Sequence, residues 1–308
     1  MTDQTIGNLD GPPTLSHPAL SLTQPPPGAA EQLRRPARAL LGWMAAEHGE
    51  LLLAGQTGAA APEAQRARVR EARDAVAARP AGIDQAGIVS ALPAELAGHA
   101  ARLEATPAGT GMRVDGWGIA LVDLGRVAAF QTHVFTDTAT ERVAGLEPGD
   151  LQSIAELTLP VNDTAPVSAQ YDEFKQAYTI TSPNPNFKVV GPVNGPLPDG
   201  TMAFGFKVTM AASFVQVARF QGRYVMRDGY HRAFGLLSRG ITRVPAYVRD
   251  FDTTENLAPA GMMPQAAWLG DRPPLLRDYH DDRVAEPVSL PAQHRLIVIH
   301  ALELLTLN

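Results

Sequence analysis

The stretch "YVMRDGYHRAFGLLSRGITRVPAYV", residues 224–248, reads as a strand, a tight turn, a short helix, a second turn and a strand. Asp228 is a residue type that caps helices, and Gly229 permits a sharp turn into one. The helix that follows has one apolar face, and Gly240 has the position of its C′ residue. The connection between the two strands is long enough for a crossover, so we expect these strands to be parallel.

Two potential cations, His231 and Arg232, stand in the first turn of this helix. A helix N-terminus carries roughly half a positive charge, which disfavours neighbouring cations. Either a bound anion compensates them, since the first N–H groups of a helix already form a phosphate receptor, or the side chains point into water. The first explanation predicts a phosphate site at Asp228, Gly229, His231 and Arg232. For Asp228, a role as helix cap is favoured over a catalytic or metal-binding one.

The order of strand, D-G-Y-H-R, helix, R-G-I-T-R-V-P and strand resembles the ParB/sulfiredoxin superfamily. Members of that superfamily carry a G-x-H-R type motif between a strand and a helix, where it contacts the phosphates of a bound nucleotide. The resemblance covers residues 214–248 best and matches the motif at Gly229, His231 and Arg232. It implies an α+β fold with a mixed-sheet ParB/sulfiredoxin-like domain and, as ligand, a nucleotide or another phosphorylated molecule. Phosphoryl transfer or nucleotide hydrolysis would add Mg²⁺.

The sequence departs from this superfamily in ways that narrow the function. Sulfiredoxins use a catalytic Cys in the motif, whereas this chain has no Cys, which excludes sulfinic-acid reduction, disulfides and thiolate ligands. No helix-turn-helix pattern follows residue 248, so centromere binding is not expected. Amino-acid kinases of the same fold have a similar D-G-x-x-R motif, but no catalytic residue or activating carboxylate stands out here. Whether the chain is an enzyme stays open.

Two other functions remain as alternatives. Arg219, Arg223 and Arg227 alternate along a hairpin predicted around Gln221-Gly222, and one basic face there would suit a nucleic-acid-binding or nuclease-like module. Such a stripe is more often a solvated face. The second alternative is a non-catalytic structural or regulatory protein with a degenerate site.

One acidic segment, "LLRDYHDDRVAE", is a weak candidate for a metal site. It concentrates four oxygen or nitrogen ligands, Asp278, His280, Asp281 and Asp282. Carboxylates of this kind bind hard cations such as Mg²⁺, although clustered acids in a loop are usually only hydrated.

Composition places the chain among globular proteins. Of its 308 residues 45% are hydrophobic and 19% are charged, and the net charge of −6 argues against a generally basic nucleic-acid surface. The first 30 residues lack the basic leader and apolar core of a signal peptide, and no apolar run approaches a bilayer span. We therefore expect a cytoplasmic protein with no membrane partner. The oligomeric state is not predicted.

Changes in composition and Pro- and Gly-rich stretches along the chain predict four segments. Residues 1–30 form a Pro-rich disordered tail, residues 31–110 a helical region, residues 111–260 the ParB/sulfiredoxin-like domain, and residues 261–308 an extension that packs on the core. Helical spacing favours helices over residues 33–52, 61–80 and 83–105, the last interrupted by Pro93. Strand patterns include "AELTLPV", "AYTIT", "FKVV" and "MAFGFKVTM", while "RLIVIHALELL" suits either a strand or a core helix.

Overall fold

A computed structural model describes residues 34–55, 62–161, 168–182, 187–210, 212–254, 257, 263–291 and 295–300. The predicted tail, residues 1–30, lies outside these ranges. No helix in the described part of the chain is both long and apolar enough to cross a membrane.

The described residues form eight α-helices and thirteen strands. The helices are α1 (Ala46–Leu53), α2 (Glu63–Ala77), α3 (Ala97–Glu104), α4 (Pro107–Val114), α5 (Thr136–Val143), α6 (Leu151–Thr158), α7 (Tyr230–Ser238) and α8 (Gln265–Trp268). The strands are β1 (Arg34–Ala39), β2 (Val89–Ser90), β3 (Gly118–Asp123), β4 (His133–Phe135), β5 (Ser168–Asp172), β6 (Ala177–Ser182), β7 (Phe187–Pro196), β8 (Met202–Met210), β9 (Gln216–Phe220), β10 (Arg223–Asp228), β11 (Arg243–Phe251), β12 (Glu286–Pro291) and β13 (Arg295–His300). Short 3₁₀ helices span Leu41–Trp43, Ala94–Leu96, Leu124–Arg126 and Leu276–His280.

The central sheet has five strands in the order β10-β9-β11-β3-β2. The β9–β11 pair is parallel and the other pairs are antiparallel. The sheet is therefore mixed, and the predicted α+β class is confirmed.

Residues 224–248 form most of β10, then α7 and most of β11, as the turn residues in this stretch predict. Gln221 and Gly222 join β9 to β10 with φ of 49° and 75°, the left-handed pair of a two-residue hairpin turn. The prediction that the strands flanking α7 are parallel is wrong. Because β10 returns antiparallel to β9, the crossover through α7 places β11 on the far side of β9, parallel to β9 and opposite in direction to β10.

A three-stranded sheet in the order β12-β1-β4 joins the three predicted segments after the tail. The helix expected over residues 33–52 is correct only for its second half, since residues 34–39 form β1 instead. All six residues of β1 pair with β12, which overrides the weak local preference of "RRPARA". The boundaries at 110 and 260 therefore cut through one sheet, and the described residues belong to one compact unit.

The other predicted elements have mixed outcomes. The long helix α2 is confirmed, and the stretch around Pro93 divides into β2, a 3₁₀ turn and α3. The strand predicted at "AELTLPV" is wrong, because residues 155–158 end helix α6, which Asp150 caps by accepting from the N–H of Ser153 at 3.1 Å. In a sheet of order β13-β6-β5, "RLIVIH" is strand β13.

The core is centred on α7 and the central sheet. Ala233 and Leu236 of α7 are fully buried, and Gly235 lets α5 cross closely, since a Cβ there would lie 2.5 Å from the carbonyl oxygen of Ala139. The Tyr230 hydroxyl accepts from the N–H of Phe130 and donates to the carbonyl of Met226. The two bonds fix the start of α7 relative to the strand before it.

Candidate functional site

The start of α7 depends on a glycine. Gly229 has φ of 97°, in the left-handed region, and a Cβ there would lie 2.9 Å from the Val215 side chain. Gly229, and not Asp228, is the N-cap residue of α7, so the predicted capping role of Asp228 is off by one position. The Asp228 carboxylate instead accepts a hydrogen bond from the N–H of Gly229 at 2.6 Å.

In the part of the chain that the structure describes, no side chain caps the N-terminus of α7. The first N–H groups of a helix have no partner within the helix and need one from a side chain, water or ligand. These N–H groups are the donors on which the predicted anion site depends.

Arg232 is buried, and its guanidinium is bonded within the protein. Its side chain is 4% exposed. The guanidinium donates to the carbonyl of Leu157 at 3.1 Å, to the carbonyl of Ser213, and to the Ser213 hydroxyl at 2.8 Å. Leu157 lies in the last turn of α6, whose carbonyl groups carry partial negative charge. The first-turn cation is thus compensated by the protein itself, an explanation that the sequence analysis did not consider.

His231 lies at the rim of the same turn, partly buried, with its ring parallel to that of Phe135 at 5.9 Å. Burial lowers the pKa of His231 to about 4, with Arg142 and Arg35 acting in the same direction. At neutral pH the ring is uncharged, so it offers a hydrogen-bond donor or acceptor rather than a cation.

Arg142 is the cation at this site that sequence reasoning missed. It lies in the last turn of α5, is exposed, and makes no hydrogen bond or ion pair with the described residues. Its charge acts on both Asp228 and His231, the residues around the start of α7. No local pattern marks Arg142, because only the packing of α5 against α7 brings it to the motif.

Asp228 is the carboxyl group of the site. Burial raises its pKa, while the charge of Arg232, the hydrogen bond from Gly229 and the charges of Arg227 and Arg142 oppose that rise. A carboxyl group with a raised pKa next to a candidate anion site has the properties of a general acid or base.

The arginines of the β9–β10 hairpin do not form one basic face. Arg219 pairs across the ladder with Tyr224, on the opposite face from Arg223. Arg223 donates to the carbonyls of Trp268 and Gly270, at 2.6 and 2.9 Å. Arg227 bonds Gln216 at 2.6 Å, and Arg219 lies 4.0 Å from a carboxylate oxygen of Asp250, so all three guanidinium groups have partners within the protein.

The acidic segment is an ion-pair network. Arg79 bonds Asp278 at 2.8 Å and Asp281 at 3.0 Å, and Asp282 pairs with Arg38 at 2.6 Å. The described residues contain no group of three or more acidic or His side chains that could hold a metal ion. Three of the four weak metal candidates, Asp278, Asp281 and Asp282, thus pair with arginines, while Nε2 of His280 lies 3.1 Å from the carbonyl of Phe234.

Comparisons with protein-family models, with curated proteins and with solved structures found no match. The resemblance to the ParB/sulfiredoxin superfamily therefore stays a prediction from the motif D-G-Y-H-R, which lies between β10 and α7.

Proposed function

We propose that this protein binds a phosphorylated small molecule, foremost a nucleotide, at the N-terminus of α7, in a ParB/sulfiredoxin-like manner. The observation that carries the proposal is the start of α7, which follows a left-handed Gly229 and has no side-chain cap among the described residues, together with the charge of Arg142 that acts there. Helix N–H groups and one guanidinium together provide the directional donors and the full positive charge that phosphate recognition uses.

Each residue of the motif has its own role in this proposal. Gly229 permits the turn, the first-turn N–H groups and Arg142 contact the phosphate, and His231 adds a hydrogen bond as a neutral ring. Arg232 is a positioning residue, because its guanidinium ties the start of α7 to α6 and to Ser213.

Phosphoryl transfer or nucleotide hydrolysis is the catalytic form of the same proposal. Asp228 is then the candidate general base, since its carboxyl group has a raised pKa and adjoins the proposed phosphate position. A Mg²⁺-nucleotide is included among the ligands, with the phosphate oxygens supplying part of the coordination. We place this activity in the cytoplasm, as the sequence predicts.

Thermal unfolding with ADP and ATP, each with and without Mg²⁺, tests the binding. A ligand that binds only the folded state raises the melting temperature by mass action. We expect such a shift for the wild-type chain and its near-complete loss in Arg142→Ala. The matched control is Arg113→Ala, which removes another exposed arginine in the last turn of a helix and should keep the shift. The absence of any shift, or its persistence in Arg142→Ala, contradicts the proposal.

A further inference from the structure

A second cationic region lies away from the start of α7. A cavity of about 520 Å³ opens between the end of α2 and the 3₁₀ helix Leu276–His280. Among its lining residues are four arginines, Arg79, Arg272, Arg277 and Arg283. No residue of the D-G-Y-H-R motif lines it, so the cavity is distinct from the proposed nucleotide site.

The charges around this cavity do not cancel. Two carboxylates line it, those of Asp278 and Asp281, and both bond Arg79. Arg283 shares Asp281 at 2.9 Å. Four guanidinium groups against two carboxylates leave two positive charges, 4 − 2 = 2, without a compensating anion in the lining.

Arg277 and Arg272 are the two arginines of this lining whose guanidinium groups can bind an anion. Arg277 is exposed and has no hydrogen bond or ion pair within the described ranges. Among the residues that the structure describes, Arg272 donates through Nε alone, to the carbonyl of Arg79 at 2.6 Å, and this bond orients its two terminal nitrogens. Guanidinium groups present paired N–H donors whose spacing matches the oxygens of a phosphate.

Hydrogen-bond acceptors lie on the other side of Arg277. A second cavity of about 440 Å³ shares Arg277 and His280 with the first and is also lined by Asp123 and Thr242. His280 stacks on Phe234 with ring centres 4.1 Å apart, and its Nε2 lies 3.1 Å from the carbonyl of Phe234.

The accepting atoms of this second cavity can be named. Burial lowers the pKa of His280, so its neutral ring donates through Nε2 and leaves Nδ1 as an acceptor. One carboxylate oxygen of Asp123 accepts from the N–H of Gly125 at 3.1 Å, while the other has no bond to the described residues.

We propose that these adjoining cavities bind a small phosphate ester that carries hydroxyl groups, of the sugar phosphate class. The phosphoryl group contacts Arg272 and Arg277, and the hydroxyl groups donate toward Asp123 and His280. The carboxylates of the lining disfavour a polyanionic nucleic acid, because each adds repulsion to a continuous phosphate backbone. This inference does not rest on the proposed nucleotide site.

Isothermal titration with ribose 5-phosphate, inorganic phosphate and ribose tests the inference. All titrations use the full chain with Arg142→Ala, so that the α7 site does not contribute. Adding Arg277→Ala should weaken binding of both phosphate compounds roughly tenfold or more, since a charge-assisted hydrogen bond is lost. Adding Arg113→Ala instead should leave the affinity unchanged. Equal binding by these two variants, or no binding of ribose 5-phosphate to the Arg142→Ala chain, overturns the proposal.

The variant Asp123→Asn distinguishes hydroxyl binding in the second cavity from phosphate binding in the first. Asparagine keeps the oxygen that accepts from Gly125 but removes the negative charge, so the fold should persist. We expect ribose 5-phosphate to bind several-fold more weakly while inorganic phosphate binds as before. An equal change for both compounds overturns the assignment of the hydroxyl groups to Asp123. A nucleotide shift that disappears in Arg142→Ala but not in Arg277→Ala shows that the two sites are independent.

Discussion

At the scale of single residues, Arg232 shows which features of a motif the sequence predicts and which it does not. Its place in the first turn of a helix is visible in the sequence, and the need for a compensating partner follows from electrostatics. The partners are not visible, because Leu157 and Ser213 lie 75 and 19 residues away along the chain. Only the packing of α6 against the domain brings their carbonyl oxygens to the guanidinium. Arg142 was missed for the same reason.

Replacing Arg232 by Ala should lower the stability of the unliganded protein. The substitution removes the hydrogen bonds that the guanidinium donates to the part-buried carbonyls of Leu157 and Ser213, at a cost of about 2 to 3 kcal/mol. Chemical denaturation measures the loss. Arg142→Ala is the control and should stay within about 0.5 kcal/mol of the wild type, since its side chain is exposed and unbonded. An Arg232→Ala protein as stable as the wild type would show that the guanidinium has no structural role.

At the scale of elements, α7 ends where its sequence predicts. Gly240 has φ of 73°, its N–H bonds the carbonyl of Leu237, and the N–H of Ile241 bonds that of Leu236. These two bonds form a Schellman motif, and the buried Leu236 and Ile241 provide its hydrophobic contact. The predicted helix end is confirmed because its signal is local.

Gly240→Ala should destabilise the protein by about 1 kcal/mol, since the left-handed conformation brings Cβ close to the backbone carbonyl. Apart from the residue itself and its two chain neighbours, no atom lies within 4 Å of the new Cβ, so the cost comes from the local backbone conformation and not from packing. Gly240→Asn should cost less, because Asn tolerates this region better. Urea denaturation of both variants checks the order, and equal stability of Gly240→Ala and the wild type would contradict the Schellman assignment.

Elements whose signals are not local were predicted less well. Strand β1 contains Pro36 and no β-branched residue, which argues against a strand. Its pairing with β12, more than 240 residues away, decides its structure.

At the scale of the whole molecule, a strand near residue 290 pairs with a strand near residue 35. Strand β1 pairs on one side with β12 and on the other with β4, so residues from three predicted segments form one sheet. Tyr279 is fully buried and donates to the carbonyl of Gln131 at 2.6 Å, and Leu275 bridges Ala128. The part of the chain that resembles the ParB/sulfiredoxin superfamily thus completes its core with residues outside it.

A fragment of residues 111–260 should therefore fail to fold alone, although the sequence predicts a domain with those bounds. Removing the flanking residues uncovers side chains that pack on Leu40, Trp43, Leu276 and Tyr279, all of them buried in the main core. Each large apolar side chain that stays exposed forfeits about 1.5 to 3 kcal/mol, and a few such losses exceed the net stability of a typical domain. Near-ultraviolet circular dichroism and denaturant titration of the fragment and of the full chain measure the difference. We expect a cooperative transition for the full chain and none for the fragment, because a domain unfolds cooperatively only when its core is complete. A cooperative transition in the fragment would mean that the central sheet and α7 suffice as a core, and that β1 and β12 only cover it.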